Sequence, residues 1–410
     1  MDILVYADWK GLAGPVYMGV LSATHTRGNT IFAFSYDQQW IKAGMAQGID
    51  PDLRFYNGPQ YAPAGRPNFG IFLDSSPDRW GRVLMDRREA LLARKESRKP
   101  TLLFEEDYLL GVYDDHRMGA LRFRTEPEGP FLNNNKGFAT PPWTSLRELE
   151  FASNQLEKDK LKAEDALKWI NMLIAPGASL GGARPKAGVT DEKGQLWIAK
   201  FPSIKDQTDI GAWEMVVNEL AAKAGITIAK GMARIYGGPR HTFLSQRFDR
   251  TPTGERLHFA SAMTLLGQAD GAIGASYLHM AEFILRGSAS PNEDLDQLWR
   301  RIVFYIAVRN TDDHLRNHGF LLTPLGWRLS PAYDINPVYS GTGLTLNISE
   351  TDNALDFDLA RSVARYFRVA DKTAASFISH TRKVVGGWQK IASRYKISRS
   401  EQEIVGQAFE

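Results

Sequence analysis

Over the first 36 residues, short apolar runs are broken by stretches of turn residues. The runs are Ile3 to Tyr6, Val16 to Leu21 and Ile31 to Tyr36, with Gly- and Thr-rich turns between them. Short apolar runs bounded by turn residues predict strands. Ser76-Pro77-Asp78 then reads as a helix start, with a serine N-cap, a proline at the first helical position and an early acid. The helix is expected to continue through Trp80, Val83 and Leu84. A second helical pattern covers Asp107 to Val112, and an extended piece, Gly119 to Phe123, follows it. Between about 124 and 144, Pro, Gly and Asn accumulate, which is the composition of a connection between subdomains.

From 145 onward the period lengthens. Helices are predicted at about 145–159 and 163–173, ahead of the Gly-rich stretch Pro176 to Lys186. Strands are expected around Val189 and from Leu196 to Phe201, and again at 231–236 and 242–248. Between these pairs, a helix over 212–224 puts Trp213, Val216, Val217, Leu220 and Ala224 on one face and stops at Gly225, a natural residue after a helix end. The remainder is mainly helical. Its clearest element, 291–309, carries the stripe Leu295, Leu298, Trp299, Ile302, Val303 and Ile306, opened by Pro291 and a capping box of Ser290 with Glu293.

Composition narrows the picture. At 410 residues the chain exceeds what one core supports, so two or three domains' worth of core is expected. A net charge of +3 is too weak a bias to argue for direct contact with nucleic acid. The absence of cysteine excludes disulfides and thiolate zinc sites. The N-terminal residues lack the basic and apolar regions of a signal peptide, and no apolar run reaches spanning length. The expected location is cytoplasmic, away from membranes.

Candidate chemistry begins at Asn310-Thr311-Asp312-Asp313-His314-Leu315-Arg316-Asn317, a polar stretch between the strongest buried helix and the apolar piece Gly319 to Leu322. Alone it reads first as a hydrogen-bonded turn and helix cap, because buried polar groups need partners in any case. Asp334, in Tyr333-Asp334-Ile335-Asn336-Pro337, changes the balance. An acid near an attacking hydroxyl, then an Asn and a further Asp on Mg²⁺, is the order that phosphoryl transfer uses in protein kinases. Asp312, Asn317 and Asp334 supply it with oxygen donors suited to a hard cation.

Lys200 falls on the inward face shared by Leu196 and Ile198, which is costly for an unpaired lysine. Glu214 or Glu219 on the following helix is its expected partner, unless the side chain snorkels to water. The segment 177–183 is compatible with a phosphate-covering loop or with a plain turn, and it is not a Walker A motif.

Taken in order, these segments resemble the HipA family of bacterial toxin kinases. Ser179 to Lys186 resembles its Gly-rich loop, Lys200-Phe201-Pro202 its nucleotide lysine, and Arg247-Phe248-Asp249-Arg250 its hinge. Asp312, His314 and Asn317 resemble its catalytic loop, and Tyr333-Asp334 its metal-binding pair. The resemblance implies a two-lobed α+β protein kinase fold. Residues 1–125 would form a β-rich N-terminal subdomain, 145–248 the rest of the N-lobe, and 249–410 a helical C-lobe.

It also implies a serine/threonine kinase toxin that uses ATP and Mg²⁺. Asp312 would be the base, Asn317 and Asp334 the metal ligands, and Ser179 the site of inactivating autophosphorylation. Nucleotide contacts would come from Lys200, Gln246, Phe248, Gly181, Gly182, Lys186 and His314. The implied partners are a HipB-like helix-turn-helix antitoxin, through which DNA is reached indirectly, and an aminoacyl-tRNA synthetase as substrate, glutamyl-tRNA synthetase first. One departure is Asp313, where a small residue is expected; a second carboxylate there would alter the base or add a metal ligand. Two other readings stand beside the kinase: an inactive kinase-fold corepressor, and a metal-dependent hydrolase using Asp312, Asp313, His314 and Asp334.

Overall fold

The computed structural model describes residues 1–26, 29–44, 48–158, 163–174 and 184–409. The chain divides into two compact units, one of Met1–Ala199 with Arg247–Ala269, the other of Lys200–Gln246 with Asp270–Glu410.

The first unit is built on an antiparallel sheet of β1 (Asp2–Ala7), β2 (Val16–Thr26), β3 (Asn29–Tyr36), β4 (Gln60–Tyr61) and β5 (Leu121–Arg124), in the order β4-β3-β2-β1-β5. Burial alternates along β1: Ile3, Val5 and Ala7 are buried, and Val5 faces Gly19 and Phe123 on its two neighbours. Helices Arg79–Lys95, Leu146–Glu157 and Ala163–Leu173 and strands Lys186–Thr190 and Leu196–Lys200 follow.

Several details differ from the sequence reading. The N-cap of Arg79–Lys95 is Asp78, whose carboxylate accepts from the Gly81 N–H, because the Ser76 hydroxyl donates back to the Phe72 carbonyl of the preceding turn. The stretch 124–144, read as a connection between subdomains, lies within the first unit. Its backbone is tied down by Leu132 N–H to the Phe123 carbonyl, Asn133 N–H to that of Val112 and Asp114 N–H to that of Asn133, each at 2.8 Å.

In the second unit, helix Ile210–Ala224 ends at Gly225 in the left-handed conformation (φ 86°), as the glycine predicts. Strands Gly231–Arg234 and Thr242–Gln246 pair antiparallel. The central helix is Pro291–Val308, with Leu295, Leu298, Trp299, Ile302, Val303 and Phe304 fully buried. Ser290 occupies its N-cap position without a side-chain cap bond. Asp294 instead gathers the Ser288 hydroxyl at 2.7 Å and the Leu329 N–H at 3.0 Å, joining the helix start to the hairpin Gly319–Thr323/Gly326–Leu329. Helices Asp371–Val385, Trp388–Arg394 and Arg399–Val405 complete the unit, with Trp213, Trp388 and Phe409 stacked together. Among the described residues, no helix is long and apolar enough to cross a membrane.

Candidate active site

Lys200 ends its strand with the ammonium buried, a position that demands compensation. Two carboxylates provide it, Glu214 Oε1 at 2.5 Å and Asp334 Oδ1 at 2.6 Å. Burial by itself would lower the Lys200 pKa, but Asp334 and Glu214 raise it above its ordinary value. Glu214 is thus the helix partner, while Glu219 accepts from Tyr395 and Arg394. The difference is helical phase: Glu214 belongs to the buried face of Ile210–Ala224. A cavity of about 10 Å³, room for roughly one water, lies between Glu214, Asn218, Phe243, Ser245, Tyr333 and Asp334.

Helix Pro291–Val308 stops at Arg309 in the left-handed conformation (φ 47°), and the polar stretch leaves from there. Asp334 shares that conformation (φ 56°), which an aspartate tolerates better than most residues. Three bonds stitch the two loops together. Asn336 N–H donates to Asn310 Oδ1 at 3.0 Å, Val338 N–H to the Arg309 carbonyl at 3.0 Å, and Tyr333 Oη to the Arg316 carbonyl at 2.6 Å.

Within the first loop, Asn317 Nδ2 donates to the Asp312 carbonyl at 3.1 Å. Asp312 itself is exposed. Its pKa is raised, first by partial burial and further by Asp334 and Asp313, with His314 opposing. Asp313 points the other way, fully buried against Tyr277 and His318. It is therefore engaged inside the protein, not presented as an additional metal ligand.

The donor set fits Mg²⁺. Asn317 Oδ1 and Asn336 Oδ1 are buried without a hydrogen-bond partner, and Asp334 supplies a carboxylate beside Asn336. These are hard oxygen donors. Among the described residues, no three His, Asp or Glu side chains group to hold a metal ion, so the His–carboxylate set required by the hydrolase reading is not assembled. His314 is half-buried, with Nδ1 unpartnered.

Of the remaining expected contacts, Gln246 closes its strand with its N–H on the Lys230 carbonyl at 2.9 Å. Phe248 belongs to the first unit, its ring 6.1 Å from that of Phe259. Lys186 also lies in the first unit, where its ammonium is buried against Asp78 at 2.7 Å and its carbonyl accepts from Trp80 Nε1 at 3.0 Å. Ser179, Gly181 and Gly182 lie outside the described residues. Sequence reasoning assigned no role to Asn310 or Asn336, although both stand inside the motifs it singled out. It also missed the pairing of Asp78 with Lys186, and Tyr277 and His318, for which no local signal exists.

These features define a mixed helix-and-sheet protein with a buried lysine shared by two carboxylates, one of them on a loop stitched to an Asp–Asn loop. The chain belongs to the HipA family: the model of the HipA-like C-terminal domain matches residues 178–388, just over half its length. HipA of the Shewanella oneidensis MR-1 toxin–antitoxin system, solved with HipB and operator DNA, shares the fold at a TM-score of 0.65 and 17% identity. That match covers 99% of this chain and 96% of the other. The Helicobacter pylori proinflammatory kinase CtkA aligns at 14% identity over 55% of this chain and 92% of its own, with a TM-score of 0.34 that is too low to bear on the fold. No curated protein matches in sequence.

Proposed function

We propose that the second unit carries the catalytic residues of an ATP- and Mg²⁺-dependent protein serine/threonine kinase acting as a HipA-type toxin. The observation that carries this reading is the Lys200–Glu214–Asp334 cluster, joined through Tyr333 and Asn336 to the loop of Asp312 and Asn317. Lys200 is charged and fixed, and it meets nucleotide phosphates by exchanging the Asp334 contact for theirs. Asp312, exposed on its loop, accepts the proton of the attacking hydroxyl. Asn317 and Asp334 would hold the metal, which would supply charge neutralisation at the transferring phosphate. His314 and Gln246 remain proposed nucleotide contacts, and Ser179 the proposed autophosphorylation site. The partnership recorded for the Shewanella protein supports a HipB-like antitoxin here, with DNA reached through it. An aminoacyl-tRNA synthetase is the proposed substrate.

The test is transfer of radiolabelled γ-phosphate from ATP with Mg²⁺, comparing wild type with Asp312→Asn, with and without host lysate. Labelling by wild type alone supports the reading, and the labelled band identifies the acceptor. Failure of wild type to label anything, despite binding ATP, transfers the weight to an inactive corepressor.

A further inference from the structure

Asp312 and Asp313 are neighbours with opposite fates. One carboxylate is exposed, while the other is fully buried in a pocket whose walls are also fully buried. Tyr277, at the start of helix Tyr277–Gly287, donates its hydroxyl to Asp313 Oδ2. His318 Nε2 lies 3.1 Å from the same oxygen and 3.0 Å from Oδ1. The His318 ring is held edge-on by Tyr277 at 5.7 Å and flanked by Tyr305 at 6.0 Å. Arg301, one turn before Tyr305 on the central helix, is also buried; it donates to the Ser330 carbonyl and interacts electrostatically with Asp313.

A buried carboxylate is an expensive way to fill space, since apolar residues of similar volume do so at least as stably. What it offers is direction: two hydrogen bonds from different elements fix its position, and the adjacent backbone moves with it. The Asp312 carbonyl is fixed in turn by Asn317 Nδ2, and the neighbouring Thr311 carbonyl accepts from Thr345 Oγ1 at 2.7 Å. The loop is therefore held from its inner side by Asp313 and from its outer side by these bonds.

We infer that Asp313 is a positioning residue: anchored by Tyr277 and His318, it sets the placement of Asp312 and Asn317 for phosphate transfer. This rests on the kinase reading above. It also assigns a role to the carboxylate that departs from the expected small residue, one that is neither base nor metal ligand. The requirement is geometric, because an acid must lie within hydrogen-bond reach of the hydroxyl it serves, and small misplacements are costly.

The experiment uses the full chain, the acceptor band found with lysate, and Mg²⁺-ATP. Tyr277→Phe removes one hydroxyl and keeps the ring, while Asp313→Asn keeps the shape. Transfer kinetics, Mg²⁺-ATP binding and thermal melting are measured for each variant and for wild type. The expected result is kcat lowered about 10-fold or more in Asp313→Asn and several-fold in Tyr277→Phe, with the KM and Kd for Mg²⁺-ATP within about 3-fold of wild type. Should Asp313→Asn fail to fold, Tyr277→Phe carries the test. Wild-type kcat in the folded variants, or a loss confined to nucleotide binding, overturns the inference and leaves the kinase reading intact. A wild type that transfers no phosphate overturns both.

Discussion

Each unit contains an aspartate tied to buried cations, and the two are built differently. In the first unit Asp249 has no exposed surface and accepts four hydrogen bonds. Oδ1 receives Arg247 Nε at 2.9 Å, while Oδ2 receives Arg247 Nη2 and Arg250 Nη1, both at 2.7 Å, and the Gly119 N–H at 2.9 Å. Burial alone would raise its pKa, but Arg247 and Arg250 bring it down to about 2. In the second unit Asp334 is partly exposed, sits in a left-handed backbone conformation, and shares one lysine with Glu214. Unpartnered amide oxygens of Asn317 and Asn336 belong to the same pair of stitched loops. A closed knot of this kind stabilises a fold. The second is open: one cation held by two carboxylates, with amide oxygens beside them that make no hydrogen bond within the chain, as the proposed nucleotide and metal site requires.

The largest effect that distinguishes the two is expected for Asp334→Asn. Phosphate transfer falls by about 10²-fold or more, because the proposed metal carboxylate is lost. Lys200 keeps Glu214, so stability shifts by no more than about 1 kcal/mol. Radiolabel transfer and thermal melting on the same preparation check both halves, and retained transfer would sink the assignment.

Asp249→Asn is expected to do the opposite. Removing one partner of a buried charge cluster costs about 3–5 kcal/mol, or on the order of 10 °C in melting temperature. An unchanged melting curve would show that the knot is not structural.

Lys186 sharpens the contrast, since the Gly-rich loop resemblance made it a phosphate contact while its ammonium is paired to Asp78 inside the first unit. Lys186→Met leaves Asp78 buried without its cation, with an expected loss of about 3 kcal/mol. Adding Asp78→Asn recovers part of that loss, because the amide oxygen still caps Gly81 and the charge is gone. If Lys186 acts on phosphate instead, Lys186→Met lowers transfer and leaves melting unchanged.

What the sequence made legible follows from range. Lys200 declared itself because period-two alternation put a charge on a buried face, and helix Ile210–Ala224 because its stripe ended at a glycine. The Asp312–Asn317 loop and Asp334 were visible as polar islands between apolar elements. Asp78 and Lys186 meet across 108 positions, and Tyr277 and Asp313 across 36, distances at which no period or cap carries a signal. Ser76 looked like a cap because its residue type is right; the three-dimensional turn gave its hydroxyl to Phe72 and left the role to Asp78. Family resemblance supplied the order of the motifs, but it could not say that Asp313 turns inward.

The smallest effect concerns pH and the first unit alone. His116 is largely buried and its pKa is lowered to about 3, first by burial and further by Arg247, Arg250 and Arg256. Nδ1 accepts the Thr140 N–H at 3.1 Å, and the carbonyl accepts from Arg247 Nη1 at 2.6 Å, so the imidazole is neutral in the folded chain. The unfolded chain takes up a proton near pH 6.5 and the folded one only near 3. Between those values the unfolded state binds more protons, so stability falls as pH falls through that window. The slope is at most about 1.4 kcal/mol for each pH unit. His116→Asn keeps an acceptor where Nδ1 stands and removes the titration. Between pH 7 and 5 the variant is therefore expected to lose about 1–2 kcal/mol less than wild type. Melting curves of both proteins at the two pH values measure the difference, and parallel shifts would show that His116 does not contribute to the acid sensitivity of its unit.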